Sequence, residues 1–253
     1  MFVDPHTHHH LSNYATLELL SSEGVEAVAI LAYIPVRPSS HKTLLDLFNW
    51  LVNVEPDRLR SVGIKAYIGL GVHPRNIPDE GLNELMDSLE LWLSRADLVG
   101  EVGLEVGSEV EVETLSRILK VSSELDKLVV IHTPRKDKEP IIRKLSEVLR
   151  NSPVHPDKVV VDHASRDLIN EFLGLGTYVG LTVQQGKLGI ADLIDIISKY
   201  PELIDKGLVN SDCGRDPSDP LTVKKVYHAL ITSGLSHFDA IKLTRDNALK
   251  VLR

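Results

Sequence analysis

Short apolar runs rich in Val, Ile and Leu alternate along this chain with longer stretches whose apolar residues recur every three or four positions, and the alternation repeats eight times. The runs predict strands at residues 1–4, 25–33, 64–71, 98–102, 128–131, 159–162, 178–182 and 208–211. The longer stretches predict helices at 14–22, 42–54, 82–94, 110–125, 140–149, 166–173, 190–199 and 221–232, with a last helix at 238–252. Several strands, such as Val159-Val160-Val161, are apolar at consecutive positions, as a parallel sheet covered on both faces requires. Eight β/α units in 253 residues match the size of an eight-stranded α/β TIM barrel, (β/α)8, with an extra C-terminal helix. A doubly wound open sheet has the same periodicity and is the competing fold.

Composition narrows the picture. The chain is 43% apolar and 25% charged, with no low-complexity tract or linker, so residues 1–253 read as one domain with an ample core. The only cysteine, Cys213, excludes an internal disulfide and suits a reducing compartment. No early run resembles a signal peptide and no apolar stretch approaches the roughly 20 residues of a membrane span. A cytoplasmic protein with no membrane association is expected, and no segment implies an obligate protein partner. The formal net charge of −8 argues against a broadly basic nucleic-acid surface, though not against a locally positive pocket.

The polar residues at the strand ends separate the two folds. Six strands lead directly into groups able to bind metal or move protons: Asp4-Pro5-His6-Thr7-His8, Gly71-Val72-His73-Pro74, Gly100-Glu101 through Glu105, His132, His163, and Ser211-Asp212. In a barrel these ends meet on one rim, whereas in an open sheet they are strung along an edge. His6 and His8, two apart in an extended chain, point to the same side and can reach one ion. Each residue admits a structural explanation alone: His132 and His163 as hydrogen-bonded core histidines, Glu101 as a helix cap, Asp212 as an N-cap. Together those explanations require independent coincidences at corresponding points of successive units, so the joint reading of a metal site is preferred.

The ordered set of motifs resembles the TatD family of metal-dependent hydrolases, within the amidohydrolase-like superfamily, over nearly the whole chain. The resemblance runs from Asp4-x-His6-x-His8 through Gly71-Val72-His73-Pro74, Gly100-Glu101-Val102-Gly103-Leu104, Ile131-His132 and Asp162-His163 to Ser211-Asp212, and includes Thr244-Arg245-Asp246-Asn247-Ala248. It implies one metal held by His6, His8, Glu101 and Asp212, with Glu101 bridging to a second held by His132 and His163. Strand 98–102 contains no lysine, in keeping with a carboxylate bridge. The chain departs from the family pattern at Glu105, where Asp is usual, at Pro134-Arg135, where the arginine is displaced by one, and at Ala164-Ser165-Arg166. It looks like a divergent branch.

Two divalent ions, Zn, Mn, Fe, Co, Ni or Mg, acidify a shared water and polarise an electrophile. Asp212 is the candidate general base, His73 a candidate substrate contact and Glu105 a candidate orienting group. A residual charge of about +1 in the cavity suits an anionic substrate, single-stranded DNA or a small phosphoester, with Arg75, Arg135, Arg166 and Arg215 as candidate supporting cations. The expected activity is that of a phosphodiesterase or deoxyribonuclease. A small-molecule amidase, lactonase or phosphotriesterase-like hydrolase on the same metals is the alternative, and a catalytically inactive metal-binding barrel is a third reading.

Overall fold

Alternate residues of a strand face opposite ways, and here the two sets bury in different places. The computed structural model describes residues 1–134, 138–214 and 217–253. Its strands are β1 (Phe2–Thr7), β2 (Val25–Leu31), β3 (Lys65–Leu70), β4 (Leu98–Gly103), β5 (Val129–His132), β6 (Val159–Val161), β7 (Tyr178–Thr182) and β8 (Gly207–Asn210). All are parallel and pair in chain order. One set, including Val3, Ala27, Ala29, Tyr67, Leu98, Val130, Val160, Tyr178 and Leu208, packs inward as one cluster. The other, including Val28, Ile30, Val99, Ile131, Val161 and Val209, packs outward against the helices. The ring closes beyond the end of β8, where Thr7 pairs with Cys213, His8 N donates to Cys213 O at 2.7 Å and Asp212 N donates to His6 O at 3.1 Å. The architecture is the (β/α)8 TIM barrel that the pattern predicts.

The helices are α1 (Tyr14–Ser22), α2 (His41–Asn53), α3 (Glu55–Arg60), α4 (Leu82–Asp87), α5 (Leu89–Leu93), α6 (Glu109–Glu124), α7 (Lys138–Arg150), α8 (Ile169–Gly174), α9 (Ile190–Lys199), α10 (Leu203–Lys206), α11 (Thr222–Thr232), α12 (His237–Ile241) and α13 (Asn247–Val251). In α2 the buried Leu44, Leu47, Phe48 and Leu51 form one stripe at helical spacing. Ala248 and Leu252 join the inward-facing cluster, so the C-terminal segment plugs the end where the strands start. Among the described residues no helix is long and apolar enough to cross a membrane.

Several boundaries differ from the sequence expectation for physical reasons. Strand β1 continues past Pro5 to Thr7, and its register shifts between Asp4 and Thr7, where proline supplies no donor. The expected helix 82–94 breaks at Ser88, which ends one short helix and begins the next with φ of −92° and ψ of 0°. The expected helix 238–252 is interrupted by a π-helical turn at Lys242–Asp246, where Arg245 Nε donates to Glu26 Oε1 at 2.5 Å. Helix α3 fills what was expected to be loop, started by Pro56 in its first turn, a position where the missing N–H has no consequence.

Candidate metal centre

The ends of β1, β3, β4, β5, β6 and β8 bring His6, His8, His73, Glu101, His132, His163 and Asp212 into one buried cluster. Strand β4 shifts register between Val99 and Val102, so Val102 packs outward while the Glu101 carboxylate lies inside the ring among the histidines. That carboxylate divides its two oxygens. Oε2 lies 3.3 Å from His6 Nε2, 3.5 Å from His8 Nε2 and 3.6 Å from His73 Nε2. Oε1 lies 2.8 Å from His132 Nδ1 and 3.0 Å from His163 Nε2. Asp212 Oδ1 completes the first side, 3.5 Å from His6 Nε2 and 3.3 Å from His8 Nε2. His163 (φ 56°) and Asp212 (φ 48°) both hold left-handed backbone, which non-glycine residues adopt at a cost and which is concentrated at functional sites.

This donor set fits divalent metal. His6 Nε2 is buried and has no hydrogen-bond partner, although two carboxylates stand near it. His6, His8 and Asp212 offer ligand atoms all within 4.8 Å of one another, and so do His73, Glu101 and His132. Burial opposes charging His6, His8 and His132, but the Glu101, Asp162, Asp212 and Glu105 carboxylates overcome it and raise all three. Burial likewise disfavours the Glu101 anion, yet His6 and His132 hold it well below the usual carboxylate range. Without metal, protons do the neutralising that cations would do.

Hydrogen bonds around the cluster fix which nitrogen each ring presents. Asp162, at the end of β6, takes the Nδ1 side of His6 and accepts from His163 N at 2.6 Å, Thr182 Oγ1 at 2.9 Å and Asn210 Nδ2 at 3.0 and 3.1 Å. Thr182 donates to Asp162, so its oxygen accepts His163 Nδ1–H at 2.8 Å and leaves the His163 Nε2 lone pair facing Glu101. His8 Nδ1 bonds Leu31 O at 2.9 Å, leaving Nε2 for the cluster. His73 is different: its Nδ1 accepts from Arg75 N at 3.0 Å, so the neutral ring carries its proton on Nε2. Burial and then the His132 charge hold His73 well below its ordinary pKa, keeping it neutral. In this arrangement it faces Glu101 as a hydrogen-bond donor.

Glu105 lies one step out. Its Oε2 bonds His132 Nε2 at 2.7 Å and its Oε1 accepts from Arg75 at 2.7 Å. The loop that carries it is held by Glu111 at the start of α6, whose carboxylate accepts from the backbone N–H of Glu105, Val106 and Gly107. Gly180 in β7 makes room for Asp162, since a Cβ there would lie 2.1 Å from Asp162 Oδ1.

The structure corrects the expected set of supporting cations. Arg166 pairs with Asp195 at 3.0 Å on the exposed surface, and Arg75 serves Glu105, while Arg135 and Arg215 lie outside the described residues. Among the described residues, two lysines reach the cluster. Lys187 Nζ, in the loop after β7, pairs with Asp212 Oδ2 and lies 3.0 Å from His163 Nδ1 and 3.3 Å from Nε2. Lys138 Nζ, at the start of α7, donates to His163 O at 2.7 Å. Burial, and then the Lys187 charge, lowers Lys138 to about 8. Lys187 is the first charged residue after β7, a strand outside the six whose ends the sequence singles out. Asp162 carried a signal as well: it stands beside His163 in the sequence, and Thr182 and Asn210 end neighbouring strands.

A family model described as TatD related DNase matches residues 3–253. An uncharacterized metal-dependent hydrolase of Methanocaldococcus jannaschii is 28% identical over 220 residues, 86% of each chain. The crystal structure of a TatD-like protein from Archaeoglobus fulgidus superposes with a TM-score of 0.85 at 28% identity, covering 100% of both chains. The phosphotriesterase homology protein of Escherichia coli shares the fold, with a TM-score of 0.72 at 16% identity, covering 100% of this chain and 98% of that one.

Proposed function

The chain belongs to the TatD related DNase family of metal-dependent hydrolases, and on that premise we propose that it is a two-metal phosphodiesterase acting on single-stranded DNA or a small phosphoester. The observation that carries this reading is the division of Glu101, one oxygen toward His6 and His8 and the other toward His132 and His163. In the proposed arrangement His6, His8, Asp212 and Glu101 would hold one cation, and Glu101, His132 and His163 would hold the other. Bound there, divalent cations supply Lewis acidity toward a substrate oxygen and water acidic enough to ionise near neutral pH.

The chain's own groups do the rest. Asp212 takes the proton from the attacking water: a carboxylate has about four lone-pair sites, and the pairings to Lys187 and the histidine side leave one available. His73 donates its Nε2–H to a substrate oxygen as negative charge builds there. Asp162 and Glu105 keep His6 and His132 turned toward the cluster, and Thr182 does the same for His163.

One observation favours hydrolysis of a smaller substrate. The Tyr33 ring contacts His8 and His73 at 5.0 and 4.9 Å between centroids and is only 7% exposed, so it offers no face on which a base can stack. A single experiment addresses both readings: elemental analysis of the purified protein, then turnover of end-labelled single-stranded DNA against a panel of phosphodiesters, amides and lactones. About two equivalents of metal, with cleavage abolished in a folded Asp212→Ala variant, support the proposal. Protein that binds no divalent metal under any loading condition refutes it, and turnover confined to amides or lactones replaces it with the alternative.

A further inference from the structure

Lys138 and Lys187 come from different β/α units and converge on one residue. Lys138 bonds the backbone oxygen of His163 at 2.7 Å, and Lys187 lies against its ring at 3.0 Å. The Lys187 side chain is 8% exposed and Lys138 is partly buried, whereas lysines are seldom withdrawn from water without full pairing. The pairing is incomplete. Among the described residues Asp212 is the only carboxylate bonded to Lys187, and none is bonded to Lys138. His163 Nδ1 carries a proton given to Thr182, so it offers Lys187 no lone pair, and on the two-metal reading its Nε2 is committed to an ion. Each ammonium has three N–H groups, so among the described residues both retain donors beyond the acceptors named.

Two ammonium groups, one buried and one partly buried, beside a cluster centred on a carboxylate are suited to accept an oxyanion. The His73 Nε2–H donor also faces Glu101, from the side of His6 and His8. We propose that Lys138 and Lys187 form an oxyanion subsite for a phosphoryl group of the substrate, making negative charge a condition of productive binding. The inference deepens the phosphodiesterase reading and rests on it. It names two residues outside the ligand set as the determinants of substrate charge.

The test is equilibrium binding of inorganic phosphate to the metal-loaded protein by calorimetry, with metal content measured on the same samples. Lys138→Met and Lys187→Met are each expected to raise the Kd for phosphate at least about tenfold, since each removes a charge-assisted hydrogen bond. Lys138→Arg, which keeps the charge, is expected to stay within about threefold of wild type. If Lys187→Met loads less metal than wild type, Lys138→Met, whose side chain touches only a backbone oxygen of the cluster, decides alone. Unchanged phosphate affinity in Lys138→Met, or no phosphate binding by wild type, overturns the subsite. A wild type that binds phosphate in a lysine-dependent way but holds no metal leaves the subsite standing and sinks the two-metal reading instead.

Discussion

Asp162→Asn isolates the carboxylate that aims His6. Four donors converge on Asp162: His6 Nδ1, His163 N, Thr182 Oγ1 and Asn210 Nδ2. Oδ1 takes the His163, Thr182 and Asn210 donors, while Oδ2 takes His6 and a second contact from Asn210 at 3.1 Å. An asparagine has only one acceptor oxygen. The crowd of donors at Oδ1 keeps that oxygen on the same side, which turns the amide NH2 toward His6. His6 then shifts its proton to Nε2, the atom proposed to bind metal. Loss of such an outer partner lowers metal affinity about 10–100-fold, or about 1.4–2.8 kcal/mol. The assay is competition against a chromophoric chelator, run beside thermal unfolding to confirm that the variant folds. Asn210→Ala, which removes donors to Asp162 without touching His6, serves as the control and should weaken metal binding less. Metal affinity of Asp162→Asn within twofold of wild type would refute the reasoning.

The remaining predictions concern different parts of the site. Gly180→Ala places a Cβ 2.1 Å from Asp162 Oδ1 and 2.9 Å from its Cα, so β6 and β7 must part; unfolding should be easier by about 1–3 kcal/mol, and an unchanged urea midpoint contradicts the packing argument. His73→Ala should reduce kcat about a hundredfold with metal content unchanged, whereas loss of metal would make His73 a ligand. In the chelated protein, burial opposes the Glu105 anion, but His132 and Arg75 bring its pKa down to about 2 from 4.5. A depressed carboxyl stabilises the fold fully above its unfolded value and loses that contribution as pH falls toward the folded value. Glu105→Gln should therefore flatten the fall in stability between pH 4.5 and 2, and urea titrations at pH 5 and 3 that match wild type in slope speak against it. Because neighbouring carboxylates favour protonation of His6, His8 and His132 in the metal-free state, metal uptake should release protons, read as a binding heat that changes with the ionisation enthalpy of the buffer.

How much of this was legible beforehand follows from what each signal depends on. The strands were readable because period-two burial on both faces leaves apolar runs, and the bounds of β7 and of α1 and α9 agree with the pattern residue for residue. The end of β1 was not, because Pro5 reads as a stop and only the neighbouring strand reveals that pairing resumes at Thr7. The histidines and carboxylates were visible because they recur at equivalent points of successive units. Lys187 and Lys138 were invisible because loop conformation, not spacing, decides where a long flexible side chain reaches. Arg166 illustrates the converse: it sits three residues beyond His163, yet a 3-10 turn carries it to the surface and Asp195.

The seam that closes the barrel has a consequence for how the molecule comes into being. It is formed by the segments bearing His6, His8 and Asp212, and a hydrogen bond from Ser211 N to Asp4 spans 207 residues. Contacts so distant along a polypeptide are late and slow to arise, since every intervening unit must already be in place. Asp212 is the last of the proposed ligands to be made, so the proposed ion cage stays incomplete until the eighth unit has joined the first. Ions held between those two segments would act as a clasp, so amide exchange at His8 and Asp212 should report metal occupancy more sharply than exchange anywhere on the opposite side of the ring.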